Sequence, residues 1–401
     1  MAKMNYTPYF LRSTIPRGIR NVSYDISQNT EKIFNGHCFR FVLTPGHGPN
    51  ALTIIVEHGG RQLAFCGDAV FSGGKIWEPY QLEWDHWTGK GTLAAWEGIT
   101  RLSGIGTDII CPSHGPLIAQ KPCQVLNALS KRLLDFYRAK GSICAGEKDR
   151  FLIGAPTASG AIKILPHLYL LRNGYVLISD SKKALVVDPT IGEINQLEAL
   201  LKELKCVRPE AAIVSHYHLD HCDGIPYLQR RYGVQAWIHP RVAEKISGAA
   251  NDAAIYRSRM AVKPDHILPQ RGKWQWREYE FSVAPWPGQT WWHAVYQAEV
   301  DGRKVLFGGD SFQPASRWNG TGGFCALNNS RLRAGFIPSA RLALRWRPDI
   351  VASGHGCVYY FTRSRFQRII KWAYFAERAL RAICPTGYPA KDYYAVLGSH
   401  K

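Results

Sequence analysis

Two stretches of the sequence repeat the same loop residues at the same spacing, and this repetition restricts the architectures open to the chain. The stretches are residues 39–115 and 281–356. The glycine that opens the first loop lies 22 residues before Asp68 in one stretch and 22 residues before Asp310 in the other. Segments that share spacing and turn residues in this way are typical of duplicated structural units.

The two stretches differ in what precedes them. Each is predicted to form strands joined by tight hairpins, then a helix (91–103 or 338–346), then a strand that runs into a His-Gly loop. Only the second stretch follows further elements, namely two or three strands within 163–190, an amphipathic helix over 194–204 and a buried strand at 211–215. The 401 residues are therefore expected to hold about one and a half copies of one architecture.

The chemistry of the chain is concentrated in a histidine cluster directly after the buried strand. His216, His218, Asp220 and His221 fall within six residues. Imidazole and carboxylate are ligands that Zn²⁺ and related divalent ions prefer. Residues i and i+2 of an extended segment point the same way, so His216 and His218 can bind one ion. The alternative is a polar turn whose histidines cap a helix, but four such residues in six favour a metal site.

The segment HYHLDH matches the HxHxDH signature of the metallo-β-lactamase-fold hydrolases, and the loops PGQT, GGD and GHG follow in that family's order. The chain resembles this family over 155–360 as a complete unit and over 39–115 as a second half only. The resemblance implies an α/β (α+β) fold, an αββα sandwich with the metal site at one edge of its two sheets. The predicted boundaries are 1–120 for a partial unit, 121–154 for a helical connection, 155–360 for the complete unit and 361–401 for a C-terminal helix and tail.

The resemblance also implies two divalent metal ions, with zinc expected before iron or manganese. The implied ligands are His216 and His218 for the first ion, Asp220, His221 and His355 for the second ion, and Asp310 between the two.

One position departs from the family pattern. The family usually has PGHT, whose histidine completes the first metal site, whereas this chain has Gln289 there. A neutral amide is a weaker zinc ligand than imidazole. His293 is the natural substitute; otherwise Gln289 or a water molecule completes the site. His239, at the end of a predicted strand, is interpreted as a structural histidine.

The first stretch retains His47, Asp68 and His114 at the corresponding positions but lacks an HxHxDH segment before them. Three ligands from half a site cannot form a two-metal centre. The preferred interpretation is a catalytically silent half unit, or the remnant of an N-terminally shortened tandem protein. A homo-oligomer in which a partner subunit supplies the missing half is the alternative.

Composition limits the partners of the chain. Apolar residues make up 46% of it, which excludes a disordered protein, and its apolar runs are too short to span a bilayer. The ten cysteines include no CxxC pair, and the N-terminus has no secretory signal, so a cytoplasmic location is expected. The net charge is +19, of which +14 lies on residues 151–401. Such a field favours an anionic small-molecule substrate.

These features predict a metal-dependent hydrolase. A metal-bridging hydroxide would cleave an ester, thioester, lactone, amide or phosphoester of a small molecule. Asp220 is the catalytic candidate, orienting the hydroxide and passing a proton to the leaving group. Two alternatives remain: a nucleic-acid phosphodiesterase, which the basic charge would suit, and a metal-binding or scaffold protein without turnover. Residues 317–331, rich in Gly, Asn and Thr, are expected to form a loop that either covers the substrate or lies on the surface.

Overall fold

The computed structural model describes residues 30–77, 79, 82, 90–141, 150–205, 208–247, 260–313 and 332–385. These residues form two compact units, divided within the last helix. Unit 1 contains the described residues 30–141 and 374–385, and unit 2 contains those of 150–373. The predicted loop at 317–331 lies outside the described residues.

The described part of unit 1 is a five-stranded sheet with two complete helices and the end of the last helix of the chain. Its elements are β1 (Glu31–Phe34), β2 (His37–Leu43), β3 (Leu52–His58), β4 (Arg61–Gly67), α1 (Lys90–Ser103), β5 (Ile109–Pro112) and α2 (Pro122–Gly141). The strands are hydrogen-bonded in chain order, and only the β4–β5 pair is parallel. Leucines of the two helices, among them Leu102, Leu126 and Leu133, are fully buried. Helix α1 confirms the helix predicted over 91–103.

Unit 2 contains two sheets. The strands of its first sheet are β6 (Ala155–Pro156), β7 (Ile162–Leu165), β8 (Leu168–Leu170), β9 (Tyr175–Ile178), β10 (Ala184–Val187), β11 (Pro209–Ile213), β12 (Gln235–Ile238) and β13 (His266–Ile267). Those of its second sheet are β14 (Gly272–Trp276), β15 (Tyr279–Pro285), β16 (Ala294–Val300), β17 (Arg303–Gly309), β18 (Ile350–Ser353) and β19 (Cys357–Tyr360). In both sheets the strands are ordered as in the chain.

The helices are α3 (Ile194–Glu203), α4 (Leu219–Cys222), α5 (Ile225–Tyr232), α6 (Pro240–Ile246), α7 (Ile337–Trp346) and α8 (Arg363–Ile383). Helix α3 buries the apolar stripe predicted for it, and α7 corresponds to the helix predicted over 338–346. Residues 163–190 contain four strands where two or three were expected, because a turn at 166–167 divides the apolar run IKILPHLYLL into β7 and β8. None of the described helices is both long and apolar enough to cross a bilayer.

The two sheets of unit 2 are joined by tyrosines that reach from the second sheet to the backbone of the first. Tyr296 donates to the carbonyl of Val214 (2.8 Å), and Tyr279 donates to the carbonyl of Ile178 (2.9 Å). All four of these residues are buried. A buried hydroxyl that keeps a hydrogen bond avoids the cost of desolvation, so these bonds fix the sheets face to face. The predicted sandwich of two sheets in a mixed α/β fold is confirmed.

The sheet of unit 1 repeats part of the second sheet of unit 2. Strands β2 to β5 have the same order and directions as β15 to β18. The parallel pair in each sheet has the same irregularity, between Phe65 and Gly67 in unit 1 and between Phe307 and Gly309 in unit 2. This likeness is what a duplication would produce, and the duplication itself stays a prediction.

His239 has a structural role at the start of helix α6. The residue is fully buried; its Nδ1 accepts from the backbone N–H of Arg241 (3.1 Å), and its Nε2 donates to the carbonyl of Gln270 (3.0 Å). Burial lowers the pKa of His239 to about 4. The imidazole therefore stays neutral in the folded protein under conditions where an unfolded chain would protonate it.

We predict that His239→Asn makes the stability of the protein less sensitive to acid. Below pH 6.5 the imidazole of His239 is protonated in the unfolded chain, but in the folded protein it stays neutral down to about pH 4. The stability therefore falls as the pH drops from 6.5 to about 4. The loss is about 2 kcal/mol at pH 5. Asparagine can still cap α6 but does not titrate. The wild type and the variant, both metal-free, would be unfolded with urea at pH 7 and at pH 5. The unfolding free energy of the wild type minus that of the variant should be about 2 kcal/mol smaller at pH 5 than at pH 7. An unchanged difference would contradict the prediction.

Candidate metal centre

The histidine cluster begins where strand β11 ends. From Val214 to His218 the chain is buried, and His218 has extended backbone angles (φ −60°, ψ 146°) before helix α4 begins at Leu219. The rings of His216 and His218 are 4.5 Å apart, as expected for residues i and i+2 of an extended segment that point the same way. The turn into α4 then directs Asp220 and His221 to the same region of the unit.

The second sheet delivers two more residues to this region, each just past the end of a strand. Asp310 follows β17 directly, and His355 follows β18 by two residues. Gly354 directly precedes His355. A Cβ atom at this glycine would be 2.1 Å from Asp310 Oδ1 and 2.9 Å from His221 Cε1. Only glycine leaves room for this approach, so the chain can pass against the carboxylate and the imidazole.

These side chains form two groups that could each hold an ion. The described part of the chain contains two such groups of three residues. In each group, one possible ligand atom from every residue lies within 4.8 Å of those of the other two residues. The first group is His216, His218 and Asp310, and the second is Asp220, His221 and His355. The structure thus brings together six of the seven residues predicted from the sequence.

Asp310 connects the two groups. Its Oδ1 is 3.3 Å from His221 Nε2, while its Oδ2 is 3.0 Å from His355 Nε2 and 3.9 Å from His216 Nε2. In the second group, Asp220 Oδ2 is 3.6 Å from His355 Nε2 and 4.0 Å from His221 Nε2. A carboxylate that faces histidines of both groups is suited to lie between two cations.

Two of the histidines have one ring nitrogen fixed by the protein and the other directed at the cluster. His221 Nδ1 is 3.1 Å from Asp188 Oδ2, and His216 Nδ1 is 3.0 Å from Ser215 Oγ, which itself donates to Asp188 (2.6 Å). Both Nδ1 atoms are therefore donors, so both Nε2 atoms face the cluster. The Nε2 atom of His221 faces Asp310 Oδ1 (3.3 Å), whereas that of His216 is buried and has no hydrogen-bond partner among the described residues. Buried polar atoms are seldom left so, and a cation would satisfy them.

The electrostatics of the cluster differ between its two sides. Burial lowers the pKa of His216 well below the ordinary value and that of His218 to about 4. Burial also opposes a charge on His221, but the carboxylates of Asp310 and Asp220 outweigh it and raise the pKa of that imidazole well above the ordinary value. Although burial would raise the pKa of Asp310, His355 and His221 hold it well below the ordinary value. The first group thus offers neutral imidazoles, and the second is rich in negative charge.

Two residues that position this cluster were missed by the sequence analysis. Asp188 accepts from the backbone and hydroxyl of Ser215 (both 2.6 Å) as well as from His221. A signal was available, because Asp188 directly follows β10, which runs parallel to β11 and so ends at the same edge of the sheet. Asn173 accepts from the N–H of His355 (2.5 Å) and donates to the carbonyl of Asp220 (2.5 Å). It lies in a turn, and no pattern marked it.

The side chain of Gln289 lies against Asp310. Its backbone N–H donates to Ser311 Oγ (3.1 Å) and its side-chain Nε2 donates to Asp310 Oδ2 (3.1 Å). His293 stacks on His216, with ring centroids 4.6 Å apart. Its Nε2 is 3.1 Å from the carbonyl of Gly308, and its Nδ1 is 3.3 Å from Ser311 Oγ. His293 is therefore next to the first group but outside it, and its role as a ligand stays a prediction.

The corresponding residues of unit 1 also lie close to one another. His114 Nδ1 donates to Asp68 Oδ1 (2.6 Å), and His47 Nε2 is 3.6 Å from Asp68 Oδ2. The side chain of His114 is half-exposed, and Trp77 stacks on its ring (4.8 Å). These three residues are not among the groups of the described chain that could hold an ion.

Sequence comparisons relate the chain to known proteins. The family model described as the metallo-beta-lactamase superfamily matches residues 3–114 and 170–355. A hydroxyacylglutathione hydrolase of Albidiferax ferrireducens is 27% identical over 153 residues, which are 37% of this chain and 51% of that protein. Hydroxyacylglutathione hydrolase GloC of Haemophilus influenzae is 26% identical over 160 residues, which are 37% of this chain and 70% of that protein. The chain thus spans about half the length of the first of these relatives.

Solved structures give a weaker likeness. The B3 metallo-beta-lactamase BLEG-1 is 23% identical and covers 54% of this chain and 94% of its own, with a TM-score of 0.38. BJP-1, a subclass B3 metallo-beta-lactamase of Bradyrhizobium japonicum, is 15% identical and covers 61% and 98%, with a TM-score of 0.41. The family model alone covers more than half of the chain. On that match, the chain belongs to the metallo-beta-lactamase superfamily.

Proposed function

We propose that unit 2 is a hydrolase that depends on two divalent metal ions and cleaves thioesters of small anionic molecules. The observation that carries the proposal is the convergence of His216, His221 and their neighbours on Asp310, together with the buried Nε2 atom of His216, which has no hydrogen-bond partner among the described residues. The thioester is proposed because the two relatives compared above are named as hydroxyacylglutathione hydrolases.

The proposed ligands follow the two groups. They are His216 and His218 for the first ion, Asp220, His221 and His355 for the second, and Asp310 for both. Imidazole and carboxylate together suit zinc, which we propose as the metal. Two such cations, when bound, would activate a water molecule and polarise the acyl oxygen of the substrate.

Asp220 is proposed to move the proton in this reaction. Its side chain is 44% exposed, whereas the side chain of Asp310 is 2% exposed. Exposure lets Asp220 reach a water molecule and a leaving group, and its Oδ2 is held 3.6 Å from His355 Nε2. A carboxylate there can accept a proton from the attacking water and deliver it to the departing thiolate, so that the thiol leaves neutral.

Two cations beside the Gln289 loop support an anionic substrate. Arg241 lies over the ring of Trp291 (4.4 Å to its centroid), and Lys245 lies over the ring of Trp292 (4.3 Å). Both tryptophans follow directly after the PGQT segment. Partial burial lowers the pKa of both cationic groups. Cations that are partly desolvated on aromatic rings attract a carboxylate more strongly than fully hydrated ones.

We predict that Asp220→Asn lowers kcat for a hydroxyacyl thioester of glutathione by about 10²–10⁴, because the amide cannot relay a proton. Activity would be followed by thiol release from zinc-loaded protein, with an oxyester and a phosphodiester in parallel. Asp180→Asn is the matched control, since this aspartate is 82% exposed, and its activity should match that of the wild type. Retained activity in Asp220→Asn would refute the proposed role. If the protein bound less than about one ion per chain and showed no turnover, the proposal that it is a metal-dependent enzyme would be refuted.

We also predict that Asp188→Asn weakens zinc binding by about 10–100-fold. The amide can no longer accept both from Ser215 and from His221 as a carboxylate does, so His221 loses its fixed orientation and part of its basicity. Asp223→Asn is the control, because Asp223 accepts from the backbone of Ile191 (2.8 Å) and from the side chain of Thr190, neither of which belongs to the two groups. Zinc affinity would be measured by competition with a chromophoric chelator. Equal losses in the two variants would contradict the role given to Asp188.

A further inference from the structure

We infer that the side-chain oxygen of Gln289 completes the site of the first ion, and that the two sites consequently differ in affinity. The second site would hold its ion tightly, and the first would bind a second ion more weakly. This inference rests on the proposed function, since it assigns a further ligand to the same metal centre.

The amide of Gln289 is held in one orientation. Gln289 is 1% exposed, and its Nε2 donates to Asp310 Oδ2 (3.1 Å). An ionised carboxylate only accepts hydrogen bonds, so the nitrogen of the amide must face Asp310 and the oxygen must face elsewhere. Asp310 Oδ2 is in turn 3.9 Å from His216 Nε2, which belongs to the first group. The amide is therefore fixed beside the atoms proposed for the first ion.

The oxygen of this amide needs a partner. Among the described residues, Gln289 Oε1 is buried and accepts no hydrogen bond. Leaving such an acceptor without a partner costs free energy, so the folded chain retains it at the expense of stability. His216 Nε2, in the adjacent group, is in the same state. A cation bound between the two atoms would satisfy both.

His293 is the other candidate ligand, but both of its ring nitrogens already have hydrogen-bond partners in the protein. A carbonyl oxygen can only accept, so His293 Nε2 donates to Gly308 O (3.1 Å), and its Nδ1 lone pair is directed at Ser311 Oγ (3.3 Å). Both bonds would have to break before the ring could bind an ion. The ring is also confined, because it stacks on His216 with an interplanar angle of 13°. These contacts argue against His293 as the ligand that completes the first site.

The difference in affinity follows from the donor sets. The second site has two imidazoles, the carboxylate of Asp220 and a share of Asp310, whereas the first has two imidazoles, its share of Asp310 and a neutral amide oxygen. Zinc binds imidazole and carboxylate better than a neutral amide oxygen, which suits harder ions. The first site therefore has less charge and a weaker donor than the second.

The test is a zinc titration of metal-free protein against a chromophoric chelator, which counts ions and gives two affinities without reference to activity. For the wild type we expect one tight ion and a second bound at least about ten-fold more weakly. Gln289→His should tighten the second ion by about ten-fold or more, because it supplies an imidazole. His293→Gln should leave both affinities within about three-fold of the wild type. Circular dichroism and thermal unfolding would establish that each variant is folded.

Each outcome bears on one claim. Two ions bound equally tightly by the wild type, or an unchanged second affinity in Gln289→His, would overturn the assignment of Gln289 and leave the proposed function standing. Loss of the second ion in a folded His293→Gln protein would assign His293 as the ligand and would also overturn it. A wild type that binds no ion would refute the proposed function itself.

Discussion

The carboxylate of Asp310 is buried in unit 2, and both of its oxygens face histidines that come from different parts of the fold. His221 is delivered by the first sheet and His355 by the second, so this one side chain draws together the ends of both. A buried charge is costly unless it is paired and hydrogen-bonded. The two imidazoles and the amide of Gln289 provide that pairing. The remaining geometry of the centre depends on keeping these groups in place.

Much of this centre could be predicted because its signals are local or regular. The spacing of His216 to His221 follows from one extended segment, and Asp310 and His355 each follow the end of a strand. Asp188 and Asn173 act through contacts between residues distant in sequence, which a pattern does not report. The sequence could not decide either whether Gln289 or His293 completes the first site, since this depends on the orientation of the Gln289 amide. The number of strands was underestimated because a turn at 166–167 divides one apolar run into two strands.

Unit 1 illustrates how far local sequence determines local structure. Its strands β2 to β5 reproduce the order, direction and irregularity found in the second sheet of unit 2. Asp68 and His114 lie within hydrogen-bond distance of each other, as Asp310 and His355 do, but through the other ring nitrogen. The sheet therefore forms this arrangement of carboxylate and imidazole without an HxHxDH segment in the same unit. Backbone topology is enough to bring two such residues together. A centre for two ions additionally needs the histidines of another sheet.

Gly354 has a consequence for how the centre can change. A single added carbon would lie 2.1 Å from an oxygen of Asp310, and that oxygen cannot retreat without losing His221. The loop before His355 can therefore pass this close to Asp310 only because Gly354 has no Cβ atom. Any side chain at this position would displace the carboxylate of Asp310 or the ring of His221. The separation of Asp310 from the loop before His355 is thus fixed by the backbone itself.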